Sequence, residues 1–117
     1  GFGIGGHWIE MMEGADLSCN LYADDLNVMT SARTFASMGL VPKGAYDNKK
    51  YFSNRYESLY TDTTDDLVFD PETSGGLLIA TEEKNVKEIL KVLNDSPYKG
   101  SVIGEVIPKF DKRIYLK

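Results

Sequence analysis

Ile4, Trp8 and Met12 fall on one stripe of a helix, and Gly14 is placed to end it as a left-handed residue. Leu17, Cys19 and Leu21 alternate with Ser18 and Asn20, the period of two that marks a strand from Leu17 to Tyr22. Asp24 and Asp25 follow as turn or capping residues. A short second helix comes next: Thr30 or Ser31 can cap it, Phe35 and Met38 lie three apart on one face, and Gly39 ends it. Pro42 and Gly44 interrupt either periodicity, so Val41 to Asn48 reads as irregular.

Tyr51, Phe52, Tyr56 and Tyr60 are interleaved with lysines, a composition that suits packing of a loop onto the domain better than stacking on bases. Asp62 to Leu67 predicts a short capped helix, and Leu77 to Ala80 a strand. Thr81 is then the expected cap of the clearest helix, with Val86, Ile89, Leu90 and Leu93 on one face and Glu83 and Lys87 paired on the other. Pro97 bars its continuation. Ser101 to Ile107 and Arg113 to Leu116 read as two strands of an antiparallel hairpin, joined through Pro108 to Lys112. This order predicts an α+β fold with helices packed on a mixed, mainly antiparallel sheet.

A chain of 117 residues, 42% of them hydrophobic, is expected to form a single domain over residues 1–117 around one core. The start at Gly1 without an initiator Met leads to the expectation of a fragment or a processed chain. No apolar run approaches the roughly 20 residues that span a bilayer, so a soluble protein with no membrane partner is expected. The formal charge of −5 argues against nonspecific nucleic-acid binding, which concentrates Lys and Arg against phosphates. Lys43, Lys49, Lys50 and Arg55 form a more basic middle segment that Asp62, Asp65, Asp66 and Asp70 follow directly; a solvated charged face accounts for it. The one cysteine, Cys19, shares a face with Leu17 and Leu21, so it reads as a small buried hydrophobe in a reducing, cytoplasmic setting.

Two stretches offer chemistry. Gly1-Phe2-Gly3-Ile4-Gly5-Gly6-His7 is a glycine loop feeding a helix N-terminus, where free amides and the helix dipole attract anions. It is not a P-loop, because no Gly-Lys-Ser/Thr closes it. His7 reads as a hydrogen-bonding residue near the helix start. Asp70-Pro71-Glu72-Thr73-Ser74-Gly75-Gly76 is a sharp loop in which Pro71 fixes φ and the paired glycines are expected at left-handed angles. Such a loop either makes a plain surface connection or turns several N–H donors toward an oxyanion.

These two stretches, with Val41-Pro42-Lys43-Gly44-Ala45, Asn48 and Ile103-Gly104-Glu105-Val106, together resemble the C-terminal domain of selenophosphate synthetase, also called selenide, water dikinase, of the aminoimidazole ribonucleotide synthetase-like superfamily. The resemblance implies a C-terminal domain, with α/β layers, of a larger two-domain enzyme. That enzyme would make selenophosphate from selenide and ATP, with AMP and phosphate as products and Mg²⁺ required. It implies nucleotide-binding roles for Gly1, Gly3, Gly5, Gly6, His7, Asn48, Thr73, Ser74, Gly75 and Gly76, and no catalytic or metal-binding residue in this chain. An N-terminal catalytic domain and a homodimer are the implied partners. Glu72 stands where the family often carries Gln, and Lys43 where a small residue is common. Thiamine monophosphate kinase, the hydrogenase-maturation enzyme and the purine-pathway synthetases share the architecture but not the loop. A noncatalytic folding or dimer-support module is the reading from a different class.

Overall fold

The computed structural model describes residues 1–97 and 99–117. Helix α1 (Gly3–Ala15) buries Trp8 and Met12 of the expected stripe and the neighbouring Ile9, with Ile4 half-buried against the same core. It runs past Gly14 and closes two positions later. Asp16 takes the left-handed conformation at φ 54°, its N–H donating to the Glu13 carbonyl at 3.2 Å while Leu17 N–H donates to the Met12 carbonyl at 2.9 Å. Asp tolerates this angle because its side chain is short and polar. The same closure ends helix α2 (Thr30–Ser37), there with Gly39 at φ 77°, as its sequence predicted.

Strand β1 (Ser18–Leu21) is buried along its whole length. Cys19 and Leu21 face α1, while Ser18 and Asn20 occupy the opposite face and are buried with hydrogen bonds. Asp24 and Asp25 lie in a 3-10 turn, Ala23–Asp25, where the Asp25 carbonyl accepts from Ser101 Oγ at 3.1 Å.

The segment read as irregular is a helix, α3 (Lys43–Phe52). Pro42 stands just outside it at φ −60° and Gly44 in its first turn, where a missing N–H and a missing Cβ disrupt nothing. Strand β2 (Tyr56–Ser58), too short to show a periodicity, follows. Helix α4 (Thr64–Val68) starts where Thr64 N–H donates to Asp62 Oδ1 at 2.9 Å.

The remaining elements are α5 (Glu83–Asn94), β3 (Gly104–Ile107) and β4 (Ile114–Leu116). Residues 77–80 form no strand. Leu77 is 90% exposed and Ile79 49%, and these residues do not pair with the outer edge of β3, where the sheet ends. The N-cap of helix α5 is Glu82 rather than Thr81, and Lys84 pairs with Glu82 at 2.5 Å. Val86, Ile89, Leu90 and Leu93 share the expected face and line a groove of about 860 Å³ against α1 and residues 99–106.

The sheet runs β2-β4-β1-β3. It is mixed, as expected, but its pairings weigh toward parallel: β1 with β3 is antiparallel, whereas β1 with β4 and β2 with β4 are parallel. The expected hairpin is split by β1. Its two strands keep opposite directions, but the connection crosses the end of β1 and is held there by Ser18, whose Oγ accepts from Phe110 N–H at 2.9 Å and donates to the Lys112 carbonyl at 2.6 Å. A two-residue turn, which joins adjacent strands, is absent from this proline-led stretch.

The core joins Trp8, Ile9, Met12, Phe52, Phe69 and Ile114 between α1, α3, α4 and the sheet. The aromatic residues pack onto it as read. Tyr56 sits 4.7 Å from the Phe69 ring, and burial beside Asp65 pushes its phenol up to about 12. The basic segment is neutralised locally by Lys43–Asp47 at 2.5 Å, Lys49–Asp66 at 2.6 Å and Arg55–Glu13 at 3.6 Å.

Candidate functional site

Gly44, Asn48 and Phe52 are spaced by four residues, which places them along one face of α3. Each meets one of the two glycine-bearing stretches. At Gly44 the α3 backbone lies so close to Pro71 that a Cβ would come within 2.7 Å of the proline Cγ. Asn48, 9% exposed, donates from Nδ2 to the Gly1 carbonyl and to the Phe69 carbonyl, both at 2.9 Å. Phe52 is buried against Phe2, with ring centres 5.4 Å apart and edge to face, and against Phe69 at 6.0 Å. Phe2 stacks in addition on Tyr51 at 6.0 Å. One helix thus holds the start of residues 1–7 and the start of residues 70–76.

Within the first stretch, Gly3, Gly5 and Gly6 are buried. Gly3 has φ +73° and packs on the Phe69 backbone; Gly5 packs on Val68, and Gly6 between Phe2 and Phe52. The missing side chains therefore allow α1 to approach α4 and α3 closely. Gly1 is exposed, and its carbonyl is the group that Asn48 holds. His7 is exposed with Nδ1 2.9 Å from Glu10 Oε2, the local hydrogen bond that its position near the helix start suggested. No side chain caps α1 and no acidic residue lies in its first turn, so its amides and dipole favour negative charge there.

In the second stretch Glu72 N–H donates to the Asp70 carbonyl at 2.9 Å and Gly75 N–H to the Glu72 carbonyl at 3.2 Å. Thr73, Ser74, Gly75 and Gly76 are exposed beyond this turn. The glycines with positive φ are Gly3 and Gly39, so Gly75 and Gly76 do not adopt the left-handed angles expected of them. The carbonyls of Asp70 and Glu72, accepting from Glu72 and Gly75, close the turn with no left-handed residue. A Cβ on Gly75 would meet the Glu72 carbonyl at an ordinary 3.4 Å, and one on Gly76 would meet open space. What these glycines keep is an unshielded backbone beside two hydroxyls.

The structure ties Gly1, Asn48 and the base of the Asp70–Gly76 loop together, packs Gly3, Gly5 and Gly6 beneath them, and projects Thr73 to Gly76 outward. Gly44, Phe52 and Phe2 were missed as organisers of this region. Their spacing of four becomes a signal only once residues 43–52 are known to be helical. Cys19 plays no part, since burial pushes its thiol up to about 12 and its Sγ lies 3.6 Å from the Arg113 carbonyl. Among the described residues no group of three His, Cys, Asp or Glu side chains converges on a metal position, and no helix is long and apolar enough to cross a membrane.

The family described as AIR synthase related protein, C-terminal domain, matches residues 1–117. A selenide, water dikinase of Clostridium botulinum (strain Eklund 17B / Type B) is 35% identical over 120 residues, covering 100% of this chain and 34% of that protein. The selenide, water dikinase of Caldanaerobacter subterraneus subsp. tengcongensis is 37% identical over 119 residues, covering 100% of this chain and 35% of the relative. That of Haemophilus influenzae (strain 86-028NP) is 31% identical over 117 residues, covering 100% of this chain and 33% of the relative. The chain spans about a third of the length of the curated relatives it matches. With five helices on a four-stranded mixed sheet among the described residues and a family match along its whole length, the chain belongs to the AIR synthase related protein C-terminal domain family.

Proposed function

We propose that this chain is the C-terminal domain of a cytoplasmic enzyme that makes selenophosphate from selenide and ATP, releasing AMP and phosphate, and that it supplies part of the phosphate side of the ATP site. One observation carries the reading. Two glycine-bearing stretches distant in sequence are anchored on one face of α3; the Thr73 and Ser74 hydroxyls and the Gly75–Gly76 backbone of one are exposed, and the other opens an uncapped helix. The relatives in Clostridium, Caldanaerobacter and Haemophilus are named selenide, water dikinase, which supports a kinase-type parent enzyme, and the products follow from the resemblance.

Phosphoryl transfer depends on positioning and on neutralising charge with amides, cations and metal ions. The donors present suit the first need and the anionic part of ATP. Thr73 and Ser74 would donate hydroxyl hydrogens to phosphate oxygens, and the bare backbone at Gly75 and Gly76 would let them approach closely. Mg²⁺ belongs to the reading through the resemblance. The carboxylates described here do not gather into a cage for it, so its ligands would come from the N-terminal domain of the parent homodimer, and no step passes through a metal in this chain.

In the parent enzyme, Gly75→Val should lower AMP formation by about 10²-fold, because a branched side chain shields the bare backbone and displaces a phosphate by about 1 Å, with the fold kept because a Cβ there meets only ordinary contacts. Turnover at the wild-type rate would refute the assignment. The burial of Gly3, Gly5 and Gly6 favours a second reading, a folding and support module without a nucleotide site of its own. Calorimetry of the isolated chain with ATP and Mg²⁺ separates them: micromolar binding supports the nucleotide site, and no heat supports dependence on the partner domain.

A further inference from the structure

The geometry points to Asn48 as a positioning residue: its carboxamide clamps the Gly1 and Phe69 carbonyls so that the two site stretches hold one relative placement, and it does not itself touch the nucleotide. The inference rests on the proposed function for what the stretches bind, and on the structure for the clamp.

A carboxamide nitrogen carries two hydrogens, and both are committed. Nδ2 lies 2.9 Å from the carbonyl of Gly1 and 2.9 Å from that of Phe69, residues 47 and 21 positions away in sequence. Two carbonyl acceptors also determine which way the amide faces, since its oxygen placed there would oppose both. No donor hydrogen remains for a phosphate, and at 9% exposure the side chain offers a ligand little surface. The clamp has rigid neighbours on either side along α3. Pro71 rests on the bare backbone of Gly44, and Phe52 fills the space between Phe2 and Phe69. Phe69 O is the last carbonyl before Asp70, whose own carbonyl closes the first turn of the loop by accepting from Glu72 at 2.9 Å. Holding Phe69 therefore aims the turn that carries Thr73 to Gly76. Holding Gly1 places the start of α1 against the same helix.

A donor misplaced by about 1 Å costs on the order of 10²-fold in rate, whereas ground-state affinity depends less steeply on position. The test uses the full-length protein that contains this chain, with Asn48→Leu, which keeps the branched shape and removes both donors, and Asn48→Ala as a second variant. The amides of Asp70, Glu72 and Gly75 should exchange with deuterium about tenfold faster in both variants, the loss of roughly one hydrogen bond's worth of restraint. In steady-state assays of AMP formation, kcat should fall between ~10-fold and ~100-fold while KM for ATP stays within about threefold. Unchanged exchange and turnover in Asn48→Leu would show that Asn48 only fills space and would overturn the proposal. A raised KM at unchanged kcat would make it a direct nucleotide contact and overturn it equally. The exchange measurement needs no nucleotide, so if the wild-type protein forms no AMP, the proposed function fails while the clamp is still decided.

Discussion

Gly3 and Gly14 lie in the same helix, yet replacing each with alanine should move stability in opposite directions. At Gly3 two costs add. Its φ of +73° disfavours any side chain, by roughly 1–2 kcal/mol for an L-residue. A Cβ there would stand 2.6 Å from the Phe69 carbonyl carbon, 2.7 Å from Phe69 Cα and 2.7 Å from the Val68 carbonyl oxygen. All three are backbone atoms, which no rotamer change relieves, so overpacking adds roughly 1–3 kcal/mol. The sum is about 2–5 kcal/mol, a large share of the roughly 5–15 kcal/mol that stabilises a domain. At Gly14 nothing lies within 4 Å and the residue is inside α1, so alanine should stabilise by about 0.5–1 kcal/mol through reduced chain entropy. With an unfolding entropy of about 2.1 cal/mol/K per residue over 117 residues, each kcal/mol shifts the melting temperature by roughly 4 °C. Gly3→Ala should then melt ~8–20 °C lower and Gly14→Ala ~2–4 °C higher. Urea unfolding followed by circular dichroism at constant m-value is the assay. A Gly3→Ala midpoint at or above wild type would refute the packing account and return Gly3 to an open loop.

Two further outcomes are expected. Cys19, whose thiol burial pushes up to about 12 from 9.0, should react with a disulfide reagent at pH 8 on the order of a thousandfold more slowly folded than in urea; equal rates would mean an open β1 face. Asp16 is held below the usual carboxylate range first by hydrogen bonds from Lys109 and Arg113, and Glu105 first by those from Asn20 and Tyr22. Because both bind protons more weakly folded than unfolded, their contribution is complete above the unfolded values of 3.8 and 4.5 and is lost as pH falls through the lower folded ones. The urea midpoint should decline over that acidic window, and Asp16→Asn should flatten part of the decline; an unaltered slope would remove Asp16 from it.

Local patterns were legible wherever one side chain's chemistry decided the outcome. The stripe of α1, the glycine end of α2, the alternation that buries Cys19 and the apolar face of α5 all follow from local sequence patterns, whereas the N-cap of α2 is Met29 and neither Thr30 nor Ser31 caps it. Helix α3 was hidden by Pro42 and Gly44, which break a helix in its interior but not at its start, and the sequence does not say which position they hold. Asn48 was singled out by resemblance, but its two acceptors come from residues 1 and 69, which only folding brings to it.

By itself the sequence determined an α+β fold, a buried cysteine and the places of two glycine-bearing stretches. The tertiary structure alone decided that β1 splits the expected hairpin, that residues 77–80 stay outside the sheet, and that Gly3, Gly5 and Gly6 serve close packing. The physical reason is one of range. Periodicity and turn chemistry are written in neighbours along the chain, whereas strand order, and whether a bare glycine backbone faces solvent or another helix, depend on contacts between residues far apart in it.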